Sequence, residues 1–170
     1  MTTIPQLATV LQTVLGPIAD AAGKTTGFVQ RQSKLTGAAF VQTLVFGYLE
    51  DADASLEDLA HTAAALGVEI SPQGLDQRFG ECASIFLKVV LDRAIQEMVA
   101  SVPVAIPLLQ RFASVHILDS STVALPEALA TIWSGCGNQT AQADAALKIH
   151  VRLELTTGAL AGPVISNGRL

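Results

Sequence analysis

Asp119 ends a short apolar run, Val115-His-Ile-Leu-Asp119-Ser-Ser-Thr122, and three hydroxyl residues follow it. A carboxylate at the tip of a buried strand is a hard oxygen donor of the kind Mg²⁺ prefers. Metal-dependent phosphodiester chemistry often places its first ligand in such a position. An Asx-type turn, or a cap for a following helix, is the alternative use of the same residues. The other groups that could bind metal do not cluster. His61, His116 and His150 lack ligand spacing, His116 alternating with buried strand positions and His150 lying on the polar face of another strand. Cys82 and Cys136 are isolated from each other and from any histidine, which argues against a zinc site or a disulfide framework and makes a reducing cytoplasm the default.

Two other patterns invite functional readings. Gly23-Lys24-Thr25 has the ending of a phosphate loop, but the position five before Gly23 is Ile18 rather than glycine, and no strand precedes it. A helix terminus followed by a loop is the better account. Residues 55–67 followed by 71–79 have the length and turn of a helix-turn-helix. In that arrangement Gln73, Gln77 and Arg78 face the major groove or the phosphates of DNA. An ordinary pair of packed helices fits the same pattern, and Gly74 weakens the second helix.

The elements that must position these residues fall into two textures. Leu7, Val10, Leu11, Val14, Leu15 and Ile18 recur at helical spacing, with Gly16-Pro17 as a kink or stop. Further helices are expected over about 35–49, from Ser55 (with Asp58 completing a capping box) to Gly67, and from Ser71-Pro72. A long helix over about 82–101 carries Leu87, Leu91, Ala94, Ile95 and Met98 on one face. Pro103 and Pro107 then interrupt helical structure, and a domain boundary falls there, giving a helical domain 1–105 and a second domain 106–170. Beyond it lie β-branched runs at 115–119, 148–155 and 159–166. Ile149, Val151, Leu153 and Leu155 alternate with His150, Arg152 and Glu154, the period of a strand with one buried face. Thr156-Thr157-Gly158 joins the last two runs as a hairpin, and residues 134–139 form a flexible loop. The fold class is therefore α+β, helices first and strands after.

Composition sets outer limits. Half of the 170 residues are apolar, and the net charge is −5. That charge weighs against a protein that coats nucleic acid indiscriminately. Its distribution softens the objection, because acids crowd residues 50–58 while Lys24, Arg31 and Lys34 precede them. Neither a signal peptide nor an apolar run of membrane-spanning length is present in the sequence, so no membrane partner is expected.

Three phrases, in order, resemble bacterial insertion-sequence transposases of the DDE type. Ile70-Ser-Pro-Gln-Gly-Leu-Asp-Gln-Arg78-Phe79 is similar to a helix near the end of their N-terminal domain. Val115-His-Ile-Leu-Asp119-Ser-Ser-Thr122-Val-Ala-Leu-Pro126 resembles the segment with their first catalytic aspartate. Gly135-Cys-Gly137, followed by Lys148-Ile-His-Val-Arg152-Leu-Glu-Leu-Thr-Thr-Gly158, resembles their glycine-rich loop and the hairpin after it. The resemblance implies an RNase H-like core in which three acids hold two Mg²⁺ or Mn²⁺ ions about 3.5–4 Å apart for strand cleavage and transfer. It makes Asp119 the first acid and a metal ligand, and Lys148 and Arg152 candidates for DNA phosphate contact. Asp144, Glu154 and Glu127 do not stand where the second aspartate and the glutamate belong. The expectation is thus a truncated transposase, helical domain plus the first three strands of an incomplete RNase H-like domain, inactive alone, with an open and marginal last strand. The alternative is a non-catalytic module that binds transposon ends or pairs, as a homodimer or with intact transposase, to act as an inhibitor.

Overall fold

Helical periodicity in the first half of the chain is realised in the computed structural model, which describes residues 4–31, 34–98, 106–135 and 145–169. Helix α1 (Ile4–Thr13) and helix α2 (Ala19–Thr25) are joined by a π-helical turn, Val14–Ile18, that contains Pro17. The expected kink or stop at Gly16-Pro17 takes this form. A wider turn accommodates a proline that clashes with a regular α-turn and has no N–H to donate. Gln42 supports the turn from outside, its Nε2 donating to the Leu15 carbonyl at 2.9 Å. Lys24-Thr25 closes α2, Gly27 follows in the left-handed region at φ +75°, and the Val29 amide donates to the Gly23 carbonyl at 2.8 Å. Gly23-Lys24-Thr25 is therefore a helix terminus, as expected, and Gly27 supplies the reversal that a Cβ would oppose.

Helix α3 (Gly37–Glu50) starts at Thr36, whose hydroxyl accepts from the Ala39 amide. The Asp20 carboxylate also accepts from the Ala38 amide at 2.7 Å, setting negative charge at the positive end of the helix dipole. Helix α4 (Leu56–Ala65) opens with the capping box read from Ser55 and Asp58. Helix α5 (Pro72–Asp76) has Ser71 as N-cap with proline in its first turn, and α6 (Glu81–Met98) completes the set. Their core centres on Phe28, Phe40 and Phe86, with Val14, Leu44, Leu59 and Leu75 around them.

The buried face of α6 is not the one its periodicity suggests. Ala83, Phe86 and Val90 are buried, Leu87 and Ala94 flank them, and Leu91 is 45% exposed. Phe86 offers the larger apolar area, and its stacking on Phe28 rotates the helix to suit. The side chain of Met98 and the expected continuation to residue 101 lie outside the described residues. So do 101–105 of the proline-bearing boundary and 136–139 of the glycine-rich loop.

The chain divides into two compact units, Met1–Met98 and Val99–Leu170. In the second, strands β1 (His116–Ala124), β2 (Ala146–Glu154) and β3 (Leu160–Asn167) form an antiparallel sheet in the order β1-β2-β3. β1 and β2 pair over nine consecutive positions without a break. β3 carries an extra residue between Ala161 and Val164, where Gly162 adopts φ +115°. The fold is α+β, several helices followed by a three-stranded antiparallel sheet. Among the described residues no helix is long and apolar enough to cross a membrane.

Candidate functional site

β1 does not end at Asp119. It runs on through Ser120, Ser121 and Thr122 to Ala124, so the aspartate sits mid-strand, opposite Val151. β-branched Thr122 and Val123 suit a pleated strand, and Lys148, Ile149 and His150 continue the ladder beside the hydroxyl residues. Nor is β1 buried: all nine of its positions are exposed, His116 included. β1 is an edge strand with a single partner in the sheet. The Asp119 Oδ1 accepts from the adjacent Ser120 amide at 2.8 Å, and the backbone there is extended rather than turned.

Register assigns the faces. Directly opposed residues in an antiparallel pair share a face and neighbours along a strand alternate. Asp119 therefore lies with Ile117, Ser121 and Val123 on the face that also carries Leu147, Ile149, Val151 and Leu153 of β2 and Ile165 of β3. It is the sole carboxylate on this side of the paired strands, a side otherwise apolar except for Ser121 and Asn167. Lys148 pairs with Thr122 and Arg152 with Leu118, on the opposite side of the sheet. The sheet thus does not bring either cation next to Asp119. His150 shares the cations' side and its Nε2 lies 2.7 Å from Ser166 Oγ, a strand-to-strand contact in keeping with a structural role.

Glu154 closes the β2–β3 hairpin. Its carboxylate accepts from the Thr156 hydroxyl at 2.9 Å and from the Thr157 hydroxyl at 3.0 Å. These two bonds, with smaller help from His116 and Arg152, hold its pKa below the ordinary glutamate value. Glu154 is thereby committed to the turn. Asp144 lies outside the described residues, and among the described residues no three His, Cys, Asp or Glu side chains converge as a metal-binding group.

The helix-turn-helix expectation changes in the structure. α5 is only five residues long, too short to lay a recognition face along a major groove. Gln73 is within it, Gln77 is its C-cap, and Arg78 lies in the turn beyond; all three are exposed. Ser71 and Pro72 start the helix as expected, but the bond from the Gly74 amide to Ser71 Oγ is spent on a single turn, after which the chain reverses into α6. Gln77 and Arg78 do line a groove whose other side is Gly27 to Arg31. Gln30 carries no mark in the sequence, and Arg31 stands out only as one of the cations that precede the acidic stretch. The nearest signal is the Gly27-Phe28 pair after a helix end, a reversal followed by an apolar anchor.

Comparison with known proteins gives a consistent set of relatives. The chain is 30% identical over 139 residues to the transposase for insertion sequence element IS231B of Bacillus thuringiensis subsp. berliner, matching 79% of this chain and 28% of that protein. It is 29% identical over 135 residues to the IS231F transposase of Bacillus thuringiensis subsp. israelensis, with 77% and 28% covered. For the IS231D transposase of subsp. finitimus the identity is 29% over 143 residues, with 82% and 29% covered. The chain spans less than a third of the length of these curated relatives. No family model and no solved structure matches it.

Proposed function

We propose, from the premise that this chain is related to bacterial insertion-sequence transposases over about four-fifths of its length, that it is the DNA-binding and first-acid portion of a DDE-type recombinase. The helical unit seats transposon-end DNA, and the sheet is the start of an RNase H-like core in which Asp119 is the first of three acids. The observation that carries this assignment is the lone carboxylate on the apolar face of the sheet. An apolar face of this size calls for cover, and a covered carboxylate is costly unless a cation or further polar groups accompany it. A covering segment that brings more carboxylates and Mg²⁺ or Mn²⁺ to Asp119 removes both problems at once.

The described residues do not fit a bound metal by themselves. Mg²⁺ needs near-octahedral oxygen coordination, and Asp119 offers one carboxylate with no second acid converging on it. No catalytic step is therefore assigned to the described residues acting alone. Lys148 and Arg152, placed across the sheet from Asp119, serve as contacts to DNA phosphates outside the immediate metal site.

A gel-shift series on duplexes carrying inverted-repeat ends of an IS231-type element, against a scrambled duplex, tests the DNA assignment. Binding that prefers the ends and weakens steeply with salt is expected. Absent or salt-insensitive binding overturns it. Binding without preference for ends, together with capture of intact transposase, shifts the assignment to an inhibitory module, for which the self-contained core of the helical unit is suited.

A further inference from the structure

Gln30, Arg31, Gln77 and Arg78 line one groove of about 520 Å³ in the helical unit, together with Gly27, Gly80 and the start of α6. Two aromatic anchors fix the segments that carry them. Phe28, three residues before Arg31, is buried and stacks on Phe86 with ring centres 4.8 Å apart and planes 9° apart. Phe79, next to Arg78, packs on Phe40 at 5.6 Å. The two arginine-bearing stretches are thus held to the same core, although they are far apart in sequence. Neither guanidinium has an ion-pair partner among the described residues.

The chemistry of the lining selects a ligand class. Arginine forks and glutamine amides are donors matched to phosphate oxygens, and among the described residues Glu81 is the one acid in the lining. In a chain of net charge −5 this is a local positive pocket, which directs an anion to one place rather than over the whole surface. Base reading through the major groove requires an inserted helix or ribbon, and α5 is too short to provide one. Single-strand binding requires aromatic platforms in the groove itself, whereas the ring among the lining residues, Phe28, is buried, and the half-exposed Phe79 beside Arg78 is outside the lining and packed on Phe40.

We propose that this groove clamps the sugar–phosphate backbone of duplex DNA, with Arg31 and Arg78 on the phosphates and Gln30 and Gln77 as supporting donors. The proposal rests on the DNA-binding function above and adds its location and mode: backbone positioning, not sequence discrimination.

The test uses the full chain and fluorescent duplexes of about 30 base pairs, one end-derived and one of mixed sequence, over a salt series. Arg31→Ala and Arg78→Ala are each expected to flatten the slope of log affinity against log salt by about 0.9, and together by about 1.8, equally on both duplexes. Glu81→Gln is expected to tighten binding. Cys82 is exposed and lines the groove, so in a Cys136→Ser background, where it is the sole cysteine, duplex should slow its alkylation by maleimide several-fold. Circular dichroism of each variant controls for folding, and the exposed Arg31→Glu provides a second, stronger perturbation of the same position. Salt-dependent duplex binding that keeps its slope in the double variant and leaves Cys82 unprotected overturns the groove while leaving the DNA-binding function standing. No duplex binding by the unaltered chain overturns both. A single strand of equal length that binds as tightly, with the same losses in the variants, overturns the assignment to duplex.

Discussion

Phe86→Ala removes the ring at the centre of the helical core. The side chain is fully buried, stacked on Phe28 at 4.8 Å and within 6.4 Å of the Phe40 ring. Truncating a buried phenylalanine costs about 3–5 kcal/mol through lost transfer energy and the cavity left behind. Loss of the stacked pair, worth about 0.5–1.5 kcal/mol beyond burial, pushes the value toward the upper end. Domains of this size are stable by about 5–15 kcal/mol, so at least a fifth of the stability goes. At about 4 °C or more per kcal/mol, the melting temperature falls by at least about 12 °C. Urea and thermal unfolding followed by far-ultraviolet circular dichroism measure both quantities, since the helices of this unit dominate that signal. Leu91→Ala is the internal comparison. Leu91 belongs to the apolar stripe suggested by sequence, yet it is 45% exposed, and its truncation should cost under about 1 kcal/mol. A larger cost for Leu91→Ala than for Phe86→Ala refutes the assignment of the buried face.

The Ser55 hydroxyl, and after it the Ser55 backbone amide, donate to the Asp58 carboxylate and hold its pKa below the ordinary aspartate value. A depressed folded-state pKa stabilises the fold above the unfolded value and loses that contribution as pH falls through the folded value, so Ser55→Ala should narrow this acid-sensitive window; NMR titration of the Asp58 carboxyl should move back toward 3.8. Gly47→Ala drives a methyl into the buried Leu59 side chain in the α3–α4 contact, and chemical denaturation should report a loss of about 1–3 kcal/mol; unchanged stability contradicts the close approach of the two helices. β3 pairs with β2 alone, so its amides should exchange with solvent faster than those of central α6; equal protection in both contradicts an open sheet edge.

Much of the helical unit was legible because its signals are local. The capping box at Ser55, the serine–proline start at Ser71 and the helix end at Lys24-Thr25 depend on neighbours within a few residues, and all three appear as expected. The strands of the hairpin were also legible, with ends displaced by one or two residues. Two features were not. The face of α6 depends on which side chain finds Phe28, a contact across most of the unit that helical spacing does not encode. The length of β1 depends on Lys148, Ile149 and His150 continuing the ladder past Asp119, so a serine- and threonine-rich segment that reads as a turn is drawn into the sheet. The relation of Asp119 to Lys148 and Arg152 hung on the same register. Alternation within β2 gave its two faces, but which face Asp119 joins is fixed only by its pairing with Val151. The groove at Arg31 and Arg78 was hidden for the same reason as the α6 face, since it exists only once Phe28 and Phe79 have packed.

The most direct test of Asp119 as a lone first acid is a cleavage reaction with the purified chain, an end-labelled duplex carrying inverted-repeat ends, and Mg²⁺ or Mn²⁺. The predicted result is a shifted duplex with both strands intact, unchanged by Asp119→Ala. Metal-dependent strand cleavage that disappears in Asp119→Ala contradicts it, because such a site needs carboxylates beyond the one the sheet provides.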